Sequence, residues 1–154
     1  MVRAQRTGMT SVIYLAGGCF WGTEKYLSLI KGVENTQVGY ANGKTLNPTY
    51  QQVCYNNTGH AETVRVDYNP EVVSLERLLE HYYESVDPTA VNRQGGDTGV
   101  QYRTGIYYVD ERDLPVIQKS IQMLQQKHQE PVAIEVKPLE NYKIGRASCR
   151  ERVY

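Results

Sequence analysis

The sequence has little that would direct the protein to nucleic acid or to a membrane. Its 17 basic residues (Lys and Arg) equal its 17 acidic residues (Asp and Glu) in number, so no net charge attracts a polyanion. No apolar run approaches the roughly 20 residues that a membrane-spanning helix requires. We therefore expect neither nucleic acid nor a membrane as a partner.

Cysteine is also scarce, with only Cys19, Cys54 and Cys149 in the chain. These cysteines do not make a disulfide framework, and residues 1–10 contain two arginines without the apolar stretch of a secretion signal. Reduced thiols in the cytoplasm are the expectation for such a chain. The three cysteines and three histidines lack the spacing of metal ligands, which predicts no metal site.

Phenylalanine and tryptophan are nearly absent, with one residue of each, whereas tyrosine occurs 13 times. A tyrosine ring combines an apolar body with a polar tip, so many of these rings should line a groove or a polar pocket. The 154 residues suit one domain, which is long enough to bury a core without disulfides or a structural metal.

Apolar periodicity predicts alternating strands and helices. The strands are predicted at residues 12–16, 33–41, 60–68, 105–109 and 132–136, and the helices at 21–29, 75–85 and 114–128. This order predicts an α+β fold of the split β-α-β (ferredoxin-like) type, a two-layer sandwich whose mixed sheet has its helices on one side. Two long polar loops, at residues 42–59 and 87–103, are typical places for functional residues.

The two ends of the chain lack periodicity. We expect an unstructured start at residues 1–10, with Met9 as a candidate true start, and one domain at residues 11–142. The end is abruptly basic, and residues 144–153 resemble the translation of a common sequencing adapter, so residues 143–154 are expected to be a non-native tail. A genuine disordered basic tail is the alternative.

Cys19 follows Gly17 and Gly18 at the junction of a predicted strand and a predicted helix. The glycines permit a sharp turn, and the free N–H groups and positive dipole end of a helix favour a thiolate at its start. Phe20 and Trp21 add an apolar wall, which suggests a substrate with an apolar group next to its reacting atom. The alternative is a buried structural cysteine.

The motif Gly-Cys-Phe-Trp-Gly at residues 18–22 resembles the signature of the A-type peptide methionine sulfoxide reductases. Further matching motifs follow in the expected order, at residues 38–40, 47–50, 59–62, 87–88 and 94–103. The resemblance covers about residues 11–142, which it identifies as a catalytic domain without the family's C-terminal segment. It implies an enzyme that reduces methionine-S-sulfoxide, free or in proteins, and so repairs oxidised proteins.

Attack on a sulfoxide sulfur needs an acid, because the oxygen must be protonated or strongly hydrogen-bonded as the S–O bond breaks. Alternation puts Glu62 on the same strand face as Val64 and Val66, where burial would raise the pKa of its carboxyl and hold a proton near neutral pH. The resemblance assigns the proton-donor role to Glu62. For a lone glutamate on a strand, a solvated face is the alternative.

The resemblance also implies roles for five substrate-binding residues. The phenols of Tyr50 and Tyr102 would bind the sulfoxide oxygen, and Asp97 would orient the phenol and the substrate. The rings of Phe20 and Trp21 would hold the methyl group. Without the resemblance, the tyrosines and the two rings could be ordinary packing residues and the aspartate a turn residue.

The recycling of Cys19 is the step for which the chain departs from the family. Oxygen transfer leaves a sulfenic acid on Cys19, which in much of the family condenses with a second cysteine in a glycine-rich C-terminal segment before thioredoxin reduces the disulfide. That segment is absent, so Cys54 is the remaining candidate, with a passive loop cysteine as the alternative. The resemblance implies no bound cofactor, only an external reductant such as thioredoxin or dithiothreitol.

Two other functions fit parts of the pattern. A thiol peroxidase would also use a reactive cysteine, but no arginine is adjacent to Cys19 to receive the peroxide. A non-catalytic module could bind methionine-rich peptides in an aromatic groove. Replacement of Cys19 by serine separates that module from the enzymes, because binding would survive and turnover would not.

Overall fold

A six-stranded sheet forms the centre of the structure, a computed structural model that describes residues 10–43 and 59–145. The strand order is β7-β6-β1-β3-β2-β8, and all neighbours are antiparallel except the parallel pair β6 and β7. The six strands are β1 (Ser11–Ala16), β2 (Val33–Ala41), β3 (Ala61–Tyr68), β6 (Gly105–Tyr108), β7 (Glu135–Pro138) and β8 (Tyr142–Ile144). The short strands β4 (Arg93–Gln94) and β5 (Asp97–Thr98) pair only with each other.

Three α-helices pack against this sheet: α1 (Phe20–Ser28), α2 (Leu75–Ser85) and α3 (Asp113–Gln125). The order β6-β1-β3-β2, with α1 and α2 as the two crossovers, is that of a split β-α-β sandwich. The predicted α+β class, with a mixed sheet and its helices on one side, is therefore confirmed. Of the helices in the described part of the chain, none is long and apolar enough to cross a membrane.

The core lies between the sheet and the helices, and alternation along β3 decides what enters it. Val64 and Val66 are completely buried there against Leu27 of α1 and Leu78 of α2. Because side chains two residues apart point to the same face, Glu62 belongs to this face as well. A smaller cluster, which includes Tyr14 and Tyr107, covers part of the opposite face.

The last predicted strand is displaced along the chain. It was predicted at residues 132–136, but β7 is Glu135–Pro138. Residues before Glu135 bond elsewhere, since the N–H of Val132 donates to the side chain of Gln125 and that of Ala133 to the carbonyl of Pro88. The same Gln125 side chain binds the carbonyl of His128, so α3 ends at Gln125 instead of continuing to residue 128.

The strand β8 is absent from the prediction, which ended the domain at residue 142. It pairs with β2, so that boundary falls inside a strand. Gly145 continues the contact, because its N–H donates to the carbonyl of Val38 and a Cβ at this position would lie 2.9 Å from the ring of Phe20. The predicted non-native character of residues 143–154 stays a prediction.

Candidate active site

Cys19 is the N-cap of α1, directly after the turn that leaves β1. Gly18 has a φ of +79°, in the left-handed region that favours glycine. A Cβ on Gly17 would lie 2.5 Å from a methyl group of Val86, so only glycine fits there. The carbonyl of Cys19 accepts the N–H of Thr23 at 3.3 Å, which begins the helix. The cysteine therefore lies where a helix presents its free N–H groups.

Glu62 lies in β3 with none of its surface exposed. Its Oε1 accepts the backbone N–H of Phe20 at 3.1 Å. Phe20 is the first residue of α1 and follows Cys19, so this bond brings the buried carboxyl to the helix start that carries the cysteine. Strand alternation and helix capping together create a contact between residues 42 positions apart.

The two aromatic residues after Cys19 lie in different surroundings. Phe20 is completely buried, and its ring centre lies 5.7 Å from that of Trp21, edge to face, and 5.4 Å from that of Tyr40. Trp21 is half-buried at the edge of the core. Tyr40, which is directly opposite Glu62 in the pairing of β2 and β3, is a member of this aromatic group to which the sequence assigned no role.

Tyr102 is held next to the cysteine turn by the main chain. It ends a single 3₁₀ turn (Val100–Tyr102), and its carbonyl accepts the N–H of Gly18 at 3.2 Å. This turn packs against β3, the strand that carries Glu62, and the side chain of Tyr102 is buried. The hydrogen bond joins the second long loop to the turn at Cys19.

A cleft of about 420 Å³ lies beside Cys19. Asp97 of β5 and its strand partner Gln94 form part of its wall. The other lining residues are Gly17, Gly18, Gly22, Thr23, Tyr26, Glu84 and Ser85. Phe20, Trp21, Glu62 and Tyr102 are not among the residues that line this cleft. Tyr50 and Cys54 lie outside the described residues.

Cys19 is disulfide-bonded in the structure. The other two cysteines of the sequence, Cys54 and Cys149, lie outside the described residues. Within residues 10–43 and 59–145, no group of three or more His, Cys, Asp and Glu side chains could hold a metal ion.

Arg103 connects the segments around this site, although the sequence assigned it no role. Its Nη1 donates to the carbonyl of Val100 at 3.0 Å, its Nη2 to the carbonyl of Asn42 at 3.3 Å, and its Nε to Oε2 of Glu135 at 3.0 Å. The guanidinium therefore joins the turn that ends in Tyr102 to the end of β2 and to β7. The sign of this role in the sequence is the position of Arg103 directly after Tyr102, a predicted substrate-binding residue.

Glu135 completes this network. The phenol of Tyr107 donates to its Oε2 at 2.6 Å, and burial is the main reason that the pKa of Tyr107 lies far above its ordinary value. Burial alone would raise the pKa of Glu135, but the hydrogen bond from Tyr107 and the charge of Arg103 outweigh it and hold this pKa below its ordinary value. The network therefore contains an ionised carboxylate next to a cation.

Asn42 and Asn141 form a second set of hydrogen bonds at the end of β2. The side-chain oxygen of Asn42 accepts the N–H of Glu140 at 2.7 Å, and the two asparagines also bond through their main chains. The side chain of Asn141 bonds to both the N–H and the carbonyl of Gly43. A Cβ on Gly43 would overlap the ring of His60, so the two ends of the first long loop touch.

A cysteine at a helix start, close to a buried carboxyl, is an arrangement of thiol-dependent enzymes, and comparison with known proteins identifies the family. The family model described as "Peptide methionine sulfoxide reductase" matches residues 11–147. Among curated relatives, "Peptide methionine sulfoxide reductase MsrA" of Lachnoclostridium phytofermentans is 62% identical over 131 residues, which are 85% of this chain and 79% of the relative. The protein of the same name from Clostridium perfringens is 54% identical over 130 residues, or 84% of this chain and 83% of the relative.

Solved structures give the same result. Reduced Mxr1 from Saccharomyces cerevisiae matches with a TM-score of 0.85 and 33% identity, covering 96% of this chain and 89% of that one. Methionine sulfoxide reductase A of Corynebacterium diphtheriae matches with a TM-score of 0.80 and 33% identity, covering 94% and 74%. Mxr1 in complex with Trx2 matches with a TM-score of 0.68 and 27% identity, covering 89% and 81%.

The chain therefore belongs to the peptide methionine sulfoxide reductases of the A type. It is an oxidoreductase that reduces methionine sulfoxide, as the resemblance in the sequence predicted. The thiol peroxidase and the non-catalytic binding module gain no support from these comparisons.

Proposed function

We propose that Cys19 is the nucleophile that reduces the S epimer of methionine sulfoxide, free or in proteins. The thiolate attacks the sulfoxide sulfur, and the oxygen passes from that sulfur to the sulfur of Cys19. The substrate gains two electrons and leaves as the thioether methionine, while Cys19 loses two electrons and becomes a sulfenic acid. The position of Cys19 as N-cap of α1 supports this role, since the helix start favours a thiolate.

The hydrogen bond from the N–H of Phe20 to Glu62 is the observation that carries the proposal. A completely buried carboxyl favours its neutral form, because burial penalises the charge. With one oxygen accepting the N–H, the carboxyl can carry its proton on the other oxygen and deliver it to the sulfoxide oxygen. Because of this proton, the oxygen arrives on the sulfur of Cys19 as a neutral hydroxyl group and not as a charged oxide, whose formation would be unfavourable.

The remaining residues position the substrate in the proposal. Tyr102, together with Tyr50, donates hydrogen bonds to the sulfoxide oxygen, and Asp97 orients the phenol and the substrate. The hydrogen bond between the N–H of Gly18 and the carbonyl of Tyr102 supports the first role, and membership of the family supports the second. Trp21, supported from behind by the buried Phe20, holds the methyl group, and rings make favourable contacts with sulfur.

Thioredoxin or another dithiol returns Cys19 to the thiol in the proposal, and the enzyme uses no bound cofactor. A solved complex of yeast Mxr1 with Trx2 supports this reductant, and Cys54 is the candidate second thiol. Condensation of that thiol with the sulfenic acid releases water and forms a disulfide, which the dithiol then reduces. The proposed location is the cytoplasm, where such reductants keep thiols reduced.

An assay on separated epimers tests the proposal. With dithiothreitol as reductant, the unaltered enzyme should consume only the S epimer, and Cys19→Ser should abolish turnover. Equal turnover of both epimers, or turnover by Cys19→Ser, would contradict it. If Cys54 is the second thiol, Cys54→Ser should keep turnover with dithiothreitol and lose most of it with thioredoxin. Equal loss with both reductants would count against that role.

A further inference from the structure

We propose that Arg103 is a positioning residue for the reduction of methionine sulfoxide, and that it acts by fixing the place of Tyr102 beside the turn at Cys19. The proposal rests on the function proposed for Cys19 and Tyr102, because the position of a phenol matters only if that phenol contacts the substrate. It goes beyond that function, because it assigns a part in the reaction to a residue that acts on another residue and not on the substrate.

Arg103 holds the turn that ends in Tyr102 with two hydrogen bonds to one acceptor. Its backbone N–H donates to the carbonyl of Val100 at 3.2 Å, and its Nη1 donates to the same carbonyl at 3.0 Å. Within the turn, the N–H of Tyr102 donates to the carbonyl of Gly99 at 2.9 Å. Because the hydrogen bonds of a 3₁₀ turn have poorer geometry than those of an α-helix, the second donor to Val100 adds stability that the turn lacks by itself.

The other two donors of the guanidinium fix where this turn lies in the fold. Nη2 donates to the carbonyl of Asn42 at 3.3 Å, directly after β2, and Nε donates to Oε2 of Glu135 at 3.0 Å, at the start of β7. Three strands (β6, β1 and β3) lie between β7 and β2 in the sheet. The side chain of Arg103 therefore connects the turn to two parts of the sheet that do not pair with each other.

The turn that Arg103 holds also touches the cysteine turn. The carbonyl of Tyr102 accepts the N–H of Gly18, one residue before Cys19, at 3.2 Å. Because this contact is made by the main chain, a shift of the turn changes the separation of Tyr102 and Cys19. The side chain of Tyr102 is only 5% exposed, so the groups packed around its ring limit how far the ring can move to compensate.

The chemistry of arginine suits this position better than that of lysine. A guanidinium is planar, and its five N–H groups point outward in a fixed fork, so one side chain can donate to three acceptors at once. A lysine ammonium is a single charged point at the end of a flexible stem. Arg103→Lys therefore keeps a positive charge next to Glu135 but loses the geometry that joins the three segments.

The role should be visible in the step that transfers oxygen. Negative charge grows on the sulfoxide oxygen as the S–O bond breaks, so a phenol that donates to this oxygen binds the transition state more strongly than the substrate. A displaced phenol should therefore lower kcat more than it raises KM. A misplacement of about 1 Å can cost about 100-fold in rate, and we expect Arg103→Lys to cost about tenfold.

A double-mutant cycle between Arg103 and Tyr102 tests the proposal. The unaltered enzyme, Arg103→Lys, Tyr102→Phe and the double variant are first reduced and then receive methionine-S-sulfoxide without further reductant, so that recycling of Cys19 does not contribute. The rate of the single turnover is measured as methionine released. Arg103→Lys should slow it about tenfold when Tyr102 is present, and by less than about twofold in the Tyr102→Phe background, because the two residues then act as a unit.

The cycle separates positioning from a general structural role, because a loss of stability would slow both backgrounds alike. Thermal unfolding sets an assay temperature at which all variants are folded. Arg103→Gln, which loses the charge as well as the fork, should show the same dependence on Tyr102. Arg93→Lys is the matched control, because Arg93 is exposed in the same loop, and it should leave the rate unchanged.

Two results would overturn the positioning role. One is an unchanged rate in Arg103→Lys, and the other is equal slowing by this change with and without the phenol of Tyr102. In steady-state assays with dithiothreitol, a raised KM with an unchanged kcat would also count against it. Turnover by Cys19→Ser would instead overturn the function proposed for Cys19, so the two failures are distinguishable.

Discussion

Two glutamates of the sheet, Glu62 on β3 and Glu135 on β7, both lie largely out of solvent, but they bond to different groups of the described residues. Glu135 accepts hydrogen bonds from the guanidinium of Arg103 and the phenol of Tyr107, with the ammonium of Lys137 at 3.5 Å. Glu62 accepts the neutral N–H of Phe20 at the start of α1. A nearby cation keeps a carboxyl ionised, and the resulting ion pair links the segments that carry the two groups. A buried carboxyl near a thiol favours its protonated form, so it is suited to donate a proton. The same residue type thus serves structure in one place and, in our proposal, chemistry in the other.

The variant Glu62→Gln tests most directly whether Glu62 acts as a proton donor. The amide oxygen can still accept the N–H of Phe20, but the side chain can no longer deliver an acidic proton. We expect kcat for methionine-S-sulfoxide to fall by about 10²–10⁴-fold. Steady-state assays with dithiothreitol measure it, and thermal unfolding should show that the variant remains folded.

Glu135→Gln is the matched control for that change. It also replaces a carboxyl by an amide in the sheet, so kcat should stay within about threefold of the unaltered enzyme. Similar losses of kcat in both variants would mean that Glu62 acts through the fold and not through a proton.

Arg103→Met should have the largest effect on stability. It leaves the carboxylate of Glu135 without its guanidinium and removes the donors to the carbonyls of Val100 and Asn42. We expect the free energy of unfolding to fall by about 2–4 kcal/mol, because the side chains of the pair are only 14% and 23% exposed. Denaturant unfolding measures this, and Arg77→Met, in the exposed pair with Glu80, should change stability by less than about 0.5 kcal/mol. Equal losses in both variants would contradict the structural role of Arg103.

The smallest expected effect is a pH dependence of stability that comes from Glu135. The folded protein holds the pKa of this carboxyl below its ordinary value of 4.5, so the unfolded chain takes up the proton first as the pH falls. The stabilising contribution is therefore fully present well above pH 4.5 and is lost as the pH falls through the lowered folded pKa. Unfolding of the unaltered protein and of Glu135→Gln between neutral and acidic pH should converge, whereas a constant difference would show that the charge is not involved.

Elements with strong local periodicity could be predicted from the sequence. The bounds of β2 and α2 match the prediction residue by residue, and Ser74 caps α2 by accepting the N–H of Arg77. The alternation of β3 predicted that Glu62 shares a face with Val64 and Val66. These features depend on neighbours within a few residues, which a sequence displays directly.

Elements that depend on distant partners could not be predicted in the same way. β8 has only three residues and exists through its pairing with β2, about 100 positions earlier. The start of β7 depends on bonds from residues 132 and 133 to Gln125 and Pro88, which shorten the strand at its beginning. Neither contact has a local pattern, so only the folded chain reveals it.

By itself, the sequence determined the α+β class, the cysteine at a strand-to-helix turn, and the face of β3 that carries Glu62, because side-chain periodicity and glycine placement are local properties. The family followed from ordered motifs. Only the tertiary structure decided which groups meet: the carboxyl of Glu62 at the N–H of Phe20, the carbonyl of Tyr102 at the N–H of Gly18, and Arg103 between three segments. Such contacts follow from how the helices and strands pack, and packing is a property of the whole chain and not of any one stretch.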